Sequence, residues 1–145
     1  MIAQSPTPAA GSTTTPPVRV LIVEDNPHII EMYSYVLKKL AANELQQQGG
    51  LEVHFAADGH LALAQLDQLP FSLVMLDLYM PVLDGFQLIE RIRAEPRFRG
   101  LPLVAISAGG TDAEERALKL GADMYLRKPV RFAEVMETVK QLLHL

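Results

Sequence analysis

The sequence contains no cysteine, which excludes disulfide bonds, thiolate catalysis and zinc sites with cysteine ligands. It also has no apolar stretch of the roughly 20 residues that a membrane-spanning helix requires. Basic residues are in the minority, with 13 Lys and Arg against 17 Asp and Glu and a formal net charge of −4. A general affinity for nucleic acid needs a basic surface. We therefore expect a cytoplasmic protein that binds neither membranes nor nucleic acid.

The first 17 residues differ in composition from the rest of the 145-residue chain. Residues 2–17 carry no charged side chain and are rich in Ala, Pro, Ser and Thr. A secretory signal would show a basic start and a continuous apolar stretch, and neither is present. Such a composition buries too little apolar surface to offset the entropy of ordering. We predict a disordered N-terminal arm over 1–17, or alternatively a docking peptide for a partner, followed by one domain over 18–145.

Within 18–145, short apolar runs alternate with segments of helical periodicity. Pro27 suits the first turn of a helix, and Gly121 suits the end of another. Thr111 or Asp112 is predicted to cap the fourth helix, with Glu114 or Glu115 completing a capping box. The predicted strands are 18–23, 51–56, 73–77, 103–107 and 124–126, and a helix follows each of them. Strict alternation favours an α/β fold with a parallel sheet covered on both faces.

Polar residues stand at the carboxyl ends of four of these strands. Glu24 and Asp25 follow the first strand, Asp77 ends the third, Ser107 ends the fourth and Lys128 follows the fifth. Because parallel strands end on the same side of a sheet, the topology brings these residues to one crevice.

Three carboxylates in one crevice repel each other unless one is protonated or a cation lies between them. An all-oxygen set favours a hard ion, and Mg²⁺ is the expected one. Lys128 adds a mobile positive charge suited to phosphate, and Ser107 adds a hydroxyl donor. Asp77 is the best candidate nucleophile toward a phosphoryl group. Asp25 is the best candidate metal ligand, with Glu24 as a second ligand or a holder of water.

At this point the sequence resembles the receiver domain of bacterial two-component response regulators. The resemblance covers everything from about Val18 to the C-terminus. The matching segments are 21–26 (LIVEDN), 77–85 (DLYMPVLDG), 106–108 (ISA) and the pair 128–129 (KP).

The resemblance implies a flavodoxin-like, doubly wound five-stranded parallel sheet of order 2-1-3-4-5 with five helices. It implies that Asp77 accepts a phosphoryl group from a histidine kinase or phosphotransfer protein and that Lys128 contacts that group. Asp25, Asp77 and the backbone carbonyl of Tyr79 would hold Mg²⁺, with Glu24 reaching the ion through water.

It further implies that Ser107 moves toward the phosphate, that Tyr125 turns inward behind it and that Pro129 follows a cis peptide bond. The readout surface would be the fourth helix, fifth strand and fifth helix. Because no output domain follows, a stand-alone receiver is expected to act through contacts with a downstream protein, and a phosphorylation-dependent homodimer is possible through the fourth-helix face.

Two features depart from the family pattern or modify it. The segment between Asp25 and the second strand is about ten residues longer than usual, so we expect either an extended first helix or an enlarged loop near 43–50. Tyr79 and Gly109 occupy the positions that tune loss of the phosphoryl group in the family. Since Gly109 cannot orient water and the Tyr79 ring can shield the bond, we predict a long-lived phosphorylated state.

Two other functions are weighed against this one. A Mg²⁺-dependent phosphatase working through an aspartyl-phosphate usually carries a second Asp where Tyr79 stands. A pseudo-receiver would bind partners without phosphorylation, which the complete set of acids, Lys128 and Ser107 disfavours. In the preferred reading the protein is not an enzyme acting on a diffusible substrate, although its Mg²⁺ site assists its own phosphorylation and dephosphorylation.

Overall fold

The computed structural model describes residues 16–45 and 49–145. The predicted arm falls almost entirely on residues 1–15, which lie outside the described residues, so both the arm and the domain boundary at residue 18 stay predictions. The five strands are β1 (Val18–Val23), β2 (Leu51–Ala56), β3 (Leu73–Leu76), β4 (Leu103–Ser107) and β5 (Met124–Arg127). The five α-helices are α1 (Pro27–Glu44), α2 (Gly59–Gln68), α3 (Gly85–Ala94), α4 (Thr111–Leu120) and α5 (Phe132–Leu142), and a 3₁₀ turn spans Pro96–Phe98.

All strand pairs are parallel, and the sheet order is β2-β1-β3-β4-β5. This order confirms the expected doubly wound, flavodoxin-like fold. The central strands β1, β3 and β4 lack alternation because both of their faces are covered, whereas the edge strands β2 and β5 are only partly buried. On β1, Leu21 and Val23 pack in one apolar cluster with residues of α2, α3 and α4, whereas Val20 and Ile22 pack in a second cluster with α1 and α5.

Polar side chains cap the N-termini of α1, α2 and α3, whereas α4, where a side-chain cap was predicted, has none. The Asn26 side chain accepts hydrogen bonds from the backbone of the first turn of α1, and Asp84 forms a capping box with Gln87 at the start of α3. The predicted capping box at α4 is wrong, because Gly110 is the N-cap residue and no side chain caps that helix. Thr111 and Glu114 bind the guanidinium of Arg127 on β5 instead.

The long segment after Asp25 is used to lengthen α1. This helix has 18 residues and continues to Glu44, and Leu45 beyond it is fully buried. Of the remaining connection, residues 46–48 lie outside the described residues. Two other boundaries differ slightly from prediction, since β3 ends one residue earlier, at Leu76, and β5 continues to Arg127. Asp77 therefore lies just beyond the end of β3.

Candidate phosphoacceptor site

The site begins with two carboxylates at the ends of neighbouring strands. Glu24 follows β1 and is 3% exposed, and Asp77 follows β3 and is 9% exposed. The backbone N–H of Asp77 donates to the carbonyl of Val23 at 3.1 Å, which extends the β1–β3 pairing and fixes the two acids side by side. Two buried carboxylates this close need a compensating positive charge.

Lys128 supplies that charge from the loop after β5. Its Nζ donates to Glu24 Oε1 at 2.9 Å and to Asp77 Oδ2 at 3.4 Å. The backbone N–H of Lys128 donates to the carbonyl of Ser107 at 2.9 Å, which continues the β4–β5 ladder past the ends of the strands. The topology therefore brings together residues that are up to 104 positions apart in the sequence.

The second carboxylate oxygen of each acid accepts hydrogen bonds from backbone N–H groups. Glu24 Oε2 accepts from the N–H groups of Asp25 and Asn26, each at 3.2 Å, and Asp77 Oδ1 accepts from the N–H of Tyr79 at 3.3 Å. These bonds orient the carboxylates and leave Asp77 beside a mobile ammonium group, which is the arrangement a nucleophile toward phosphate needs.

Asp25, the predicted metal ligand, is exposed at the mouth of the crevice. Its carboxylate makes no hydrogen bond or ion pair within the described part of the chain, so it is available to a cation. No group of three His, Cys, Asp or Glu side chains within residues 16–45 and 49–145 is arranged as a metal site by itself. Mg²⁺ does not require one, because it binds through one or two carboxylates and keeps several waters. The donor set of Asp25, Asp77 and the Tyr79 carbonyl fits that requirement.

Ser107 and Tyr125 lie behind the acids. Ser107 is fully buried, and its Oγ has no hydrogen-bond partner among the residues described. The Tyr125 hydroxyl donates to the carbonyl of Gly109 at 2.6 Å, and burial raises the pKa of this hydroxyl. Tyr125 is therefore a protonated donor at neutral pH, and the neighbouring Ser107 hydroxyl limits the rise of its pKa.

The Tyr79 ring packs edge-on against Phe86, and its hydroxyl lies beside Gly109 in the same loop. A Cβ at Gly109 would stand 2.5 Å from the Ala113 Cβ, 2.6 Å from the Tyr79 hydroxyl and 3.2 Å from the Tyr125 hydroxyl, so a larger residue would force these neighbours to shift. The Tyr79 side chain remains 56% exposed. The family pattern predicts separate effects of Tyr79 and Gly109 on phosphoryl lifetime, but the closeness of the two residues depends on ring placement that spacing does not reveal.

The Lys128–Pro129 peptide bond is cis. Beside it, Lys128, Pro129 and Val130 line a mostly apolar cavity of about 450 Å³ together with Ile29, Met32, Tyr33 and Ala108. Tyr33 lies on the buried face of α1 with Val36, Leu37 and Leu40, and its hydroxyl is shielded from solvent. The sequence did not single this residue out, and the available signal was a tyrosine on a face whose other buried residues are aliphatic.

None of the helices within residues 16–45 and 49–145 has the length and apolar character of a membrane span.

Residues 20–140 match the family model of the response regulator receiver domain. Among characterised proteins, the DNA-binding dual master transcriptional regulator RpaA of Synechocystis sp. is 33% identical over 126 residues. The match covers 86% of this chain and 48% of RpaA, so the chain spans about half the length of that relative.

Solved structures show the same likeness. A response regulator from Chloroflexus aurantiacus superposes with a TM-score of 0.79 at 30% identity, covering 90% of this chain and all (100%) of the other. The receiver domain of the Pseudomonas aeruginosa sensor histidine kinase PA1611, which has a magnesium ion in its active-site cleft, gives a TM-score of 0.75 at 27% identity, covering 90% and 100% of the two chains. The chain belongs to the response regulator receiver family of two-component signalling.

Proposed function

We propose that this receiver domain, residues 18–145, accepts a phosphoryl group on Asp77 from a histidine kinase or a phosphotransfer protein. The observation that carries the proposal is the Lys128 ammonium lying within 2.9 Å of Glu24 and 3.4 Å of Asp77 at the carboxyl edge of the sheet. In the transfer, the bond from phosphorus to the donor's histidine nitrogen breaks and a bond from phosphorus to an Asp77 oxygen forms.

Each neighbouring residue has a defined part in this proposal. Asp25, Asp77 and the Tyr79 carbonyl would hold Mg²⁺, with Glu24 reaching it through water. When bound, the ion would supply positive charge that lowers the cost of bringing the anionic phosphoryl group to a carboxylate. Lys128 then turns from Asp77 Oδ2 to the phosphoryl oxygens. Because the phosphoryl group is transferred to the protein's own carboxylate, the domain acts as a switch and does not turn over a diffusible substrate.

The proposed readout begins at the free Ser107 hydroxyl. Ser107 donates to the phosphoryl group, and Tyr125 packs into the space behind it while remaining bonded to the Gly109 loop. The surface of α4, β5 and α5 then contacts a downstream protein target or a second copy of the chain. Support comes from the buried, unpaired Ser107 Oγ, since such a group is costly until it gains a partner.

The test is incubation of the purified chain with Mg²⁺ and acetyl phosphate, followed by intact mass measurement and assay of released phosphate. We expect one phosphoryl group per chain in the wild type and none in Asp77→Asn. The matched control is Asp112→Asn, which removes an exposed acid of α4 and is expected to leave the modification intact.

The same assay distinguishes the other two functions. Steady release of phosphate over many turnovers would identify an aspartyl-phosphate phosphatase. An unmodified wild-type chain, with no response to Mg²⁺, would identify a pseudo-receiver. Either result overturns the proposal.

A further inference from the structure

The Tyr79 side chain connects the loop of the acceptor with the loop that follows Ser107. The backbone N–H of Tyr79 donates to Asp77 Oδ1 at 3.3 Å, and the Tyr79 hydroxyl lies beside Gly109. The ring therefore extends from a residue bonded to the acceptor carboxylate to the loop that begins at the Ser107 end of β4. Because Tyr79 is 56% exposed, its position depends on the few groups that pack against it.

Phe86, in the first turn of α3, is one of those groups. The centroids of the Tyr79 and Phe86 rings are 6.3 Å apart with an interplanar angle of 75°, an edge-to-face arrangement that aromatic pairs favour. Phe86 is only 7% exposed and belongs to the apolar cluster that includes residues of α2, α3 and α4. Tyr79 thus packs on a ring that is itself part of the core.

Arg116 reaches the same ring from α4. Its guanidinium carbon lies over the Phe86 ring, 4.1 Å from the centroid, which is the geometry of a cation–π contact. The residue is exposed, and its side chain forms no ion pair or hydrogen bond within residues 16–45 and 49–145. The contact with Phe86 is therefore what orders this guanidinium, and the guanidinium excludes Tyr79 from the face of Phe86 that it covers.

We propose that Arg116 is a positioning residue that acts through Phe86 to keep the Tyr79 ring beside the acceptor, and that it thereby lengthens the lifetime of the aspartyl-phosphate. This inference rests on the proposed function of the site. Loss of the phosphoryl group is a hydrolysis, in which a water oxygen bonds to phosphorus while the bond from phosphorus to the Asp77 oxygen breaks. Inorganic phosphate leaves and the carboxylate is regenerated.

The position of the Tyr79 ring decides how easily water reaches the phosphorus in this step. With Arg116 on Phe86, the ring stays between the Asp77 loop and Gly109 and restricts that approach. Without the guanidinium, the Tyr79 ring can move onto the freed face of Phe86 and away from Gly109, and the approach opens.

The test is the phosphoryl half-life of Arg116→Gln. The chain is phosphorylated with acetyl phosphate and Mg²⁺, the reagent is removed by rapid desalting, and phosphate release is followed. A cation–π contact at an exposed site corresponds to a change in rate of about two- to fivefold, so we expect the half-life to shorten by that factor. Arg116→Lys keeps a cation for the ring and is expected to restore most of the half-life. Arg, Gln and Lys have similar helix propensities, so neither variant is expected to change the unfolding midpoint measurably.

Two controls separate this route from a general effect of charge. Lys119→Gln removes one positive charge from the exposed side of the same helix and is expected to leave the half-life unchanged. In a Tyr79→Asn background, Arg116→Gln is expected to have no further effect, because the ring that Arg116 positions is absent.

An unchanged half-life in Arg116→Gln overturns the inference. It is equally overturned if Arg116→Lys is as short-lived as Arg116→Gln, or if Arg116→Gln has its full effect in the Tyr79→Asn background. A wild-type chain that takes up no phosphoryl group overturns the proposed function itself, so the two failures are distinguished.

Discussion

Replacing Lys128 with methionine removes the only cation that the structure places between Glu24 and Asp77 within the described residues. Methionine keeps most of the apolar stem and removes the ammonium group. At an effective dielectric constant of about 20, unit charges at 2.9 and 3.4 Å attract by about 6 and about 5 kcal/mol, which are upper bounds. Desolvation offsets much of this attraction, and breaking a buried ion pair typically costs about 3–5 kcal/mol.

We expect the lower end of that range for Lys128→Met, a loss of about 3 kcal/mol. The reason is that backbone N–H groups still bind Glu24 Oε2 and Asp77 Oδ1 after the substitution. In urea unfolding at neutral pH without divalent ions, this loss lowers the midpoint by about 1.5 M for a slope near 2 kcal/mol/M. Excess Mg²⁺ is expected to restore part of the loss, because it supplies the missing positive charge and binds only the folded chain.

The control is Lys140→Met, which removes an ammonium that pairs with Glu44 at 3.6 Å on the surface. With about a third of each side chain exposed (33% and 38%), this pair is expected to contribute 1 kcal/mol or less. If Lys128→Met costs no more than Lys140→Met, or if Mg²⁺ stabilises both variants equally, then Lys128 does not neutralise the buried acids and the electrostatic account of the site is refuted.

Three further predictions concern the loops around the acceptor. Tyr79→Asn is expected to shorten the phosphoryl half-life, because it removes the ring that is predicted to shield the bond; an unchanged half-life in a phosphate-release assay contradicts the shielding role. Gly109→Ala is expected to shorten the half-life by displacing the Tyr79 hydroxyl, and so to change the half-life little in a Tyr79→Asn background, while its clash with the Ala113 Cβ lowers stability in both backgrounds. Gly85→Ala is expected to destabilise the fold by about 3 kcal/mol in urea unfolding, because its Cβ would contact the Asp77 carbonyl and the backbone just after it. Gly100→Ala, which has open space around its Cα, is the control and should be nearly neutral.

The periodicity of the sequence was sufficient for the fold because the strands are short and apolar, and the central strands β3 and β4 are buried on both faces. The strand 103–107 was predicted with its observed bounds, and all five of its residues are buried. The start of α4 was not predictable in the same way. Thr111 and Glu114 fit a capping box by type and spacing, but β5 places Arg127 beside them, and a charged partner from a distant strand competes with the local backbone.

The site was predictable as far as topology dictates it. Because the strands are parallel, Glu24, Asp77, Ser107 and Lys128 lie at the carboxyl edge of the sheet in any side-chain conformation. The pairing of Lys128 with Glu24 as well as Asp77, and the packing of the Tyr79 hydroxyl over Gly109, depend on side-chain directions that no spacing rule encodes. The burial of the Tyr33 hydroxyl was also not predictable. The spacing of apolar residues shows which face of the helix is buried, but it does not show what surrounds the oxygen of a tyrosine on that face.

The hydrogen bond from the Lys128 N–H to the Ser107 carbonyl joins the backbones of the two residues whose side chains the proposed function places on the phosphoryl group. It continues the ladder in which Ser107 pairs with Arg127 in register. The Lys128 ammonium ends a flexible four-carbon side chain, so the stiff connection is between the backbone positions of the two residues and not between their polar groups. A substitution that broke this hydrogen bond would let the base of the Lys128 side chain move relative to Ser107.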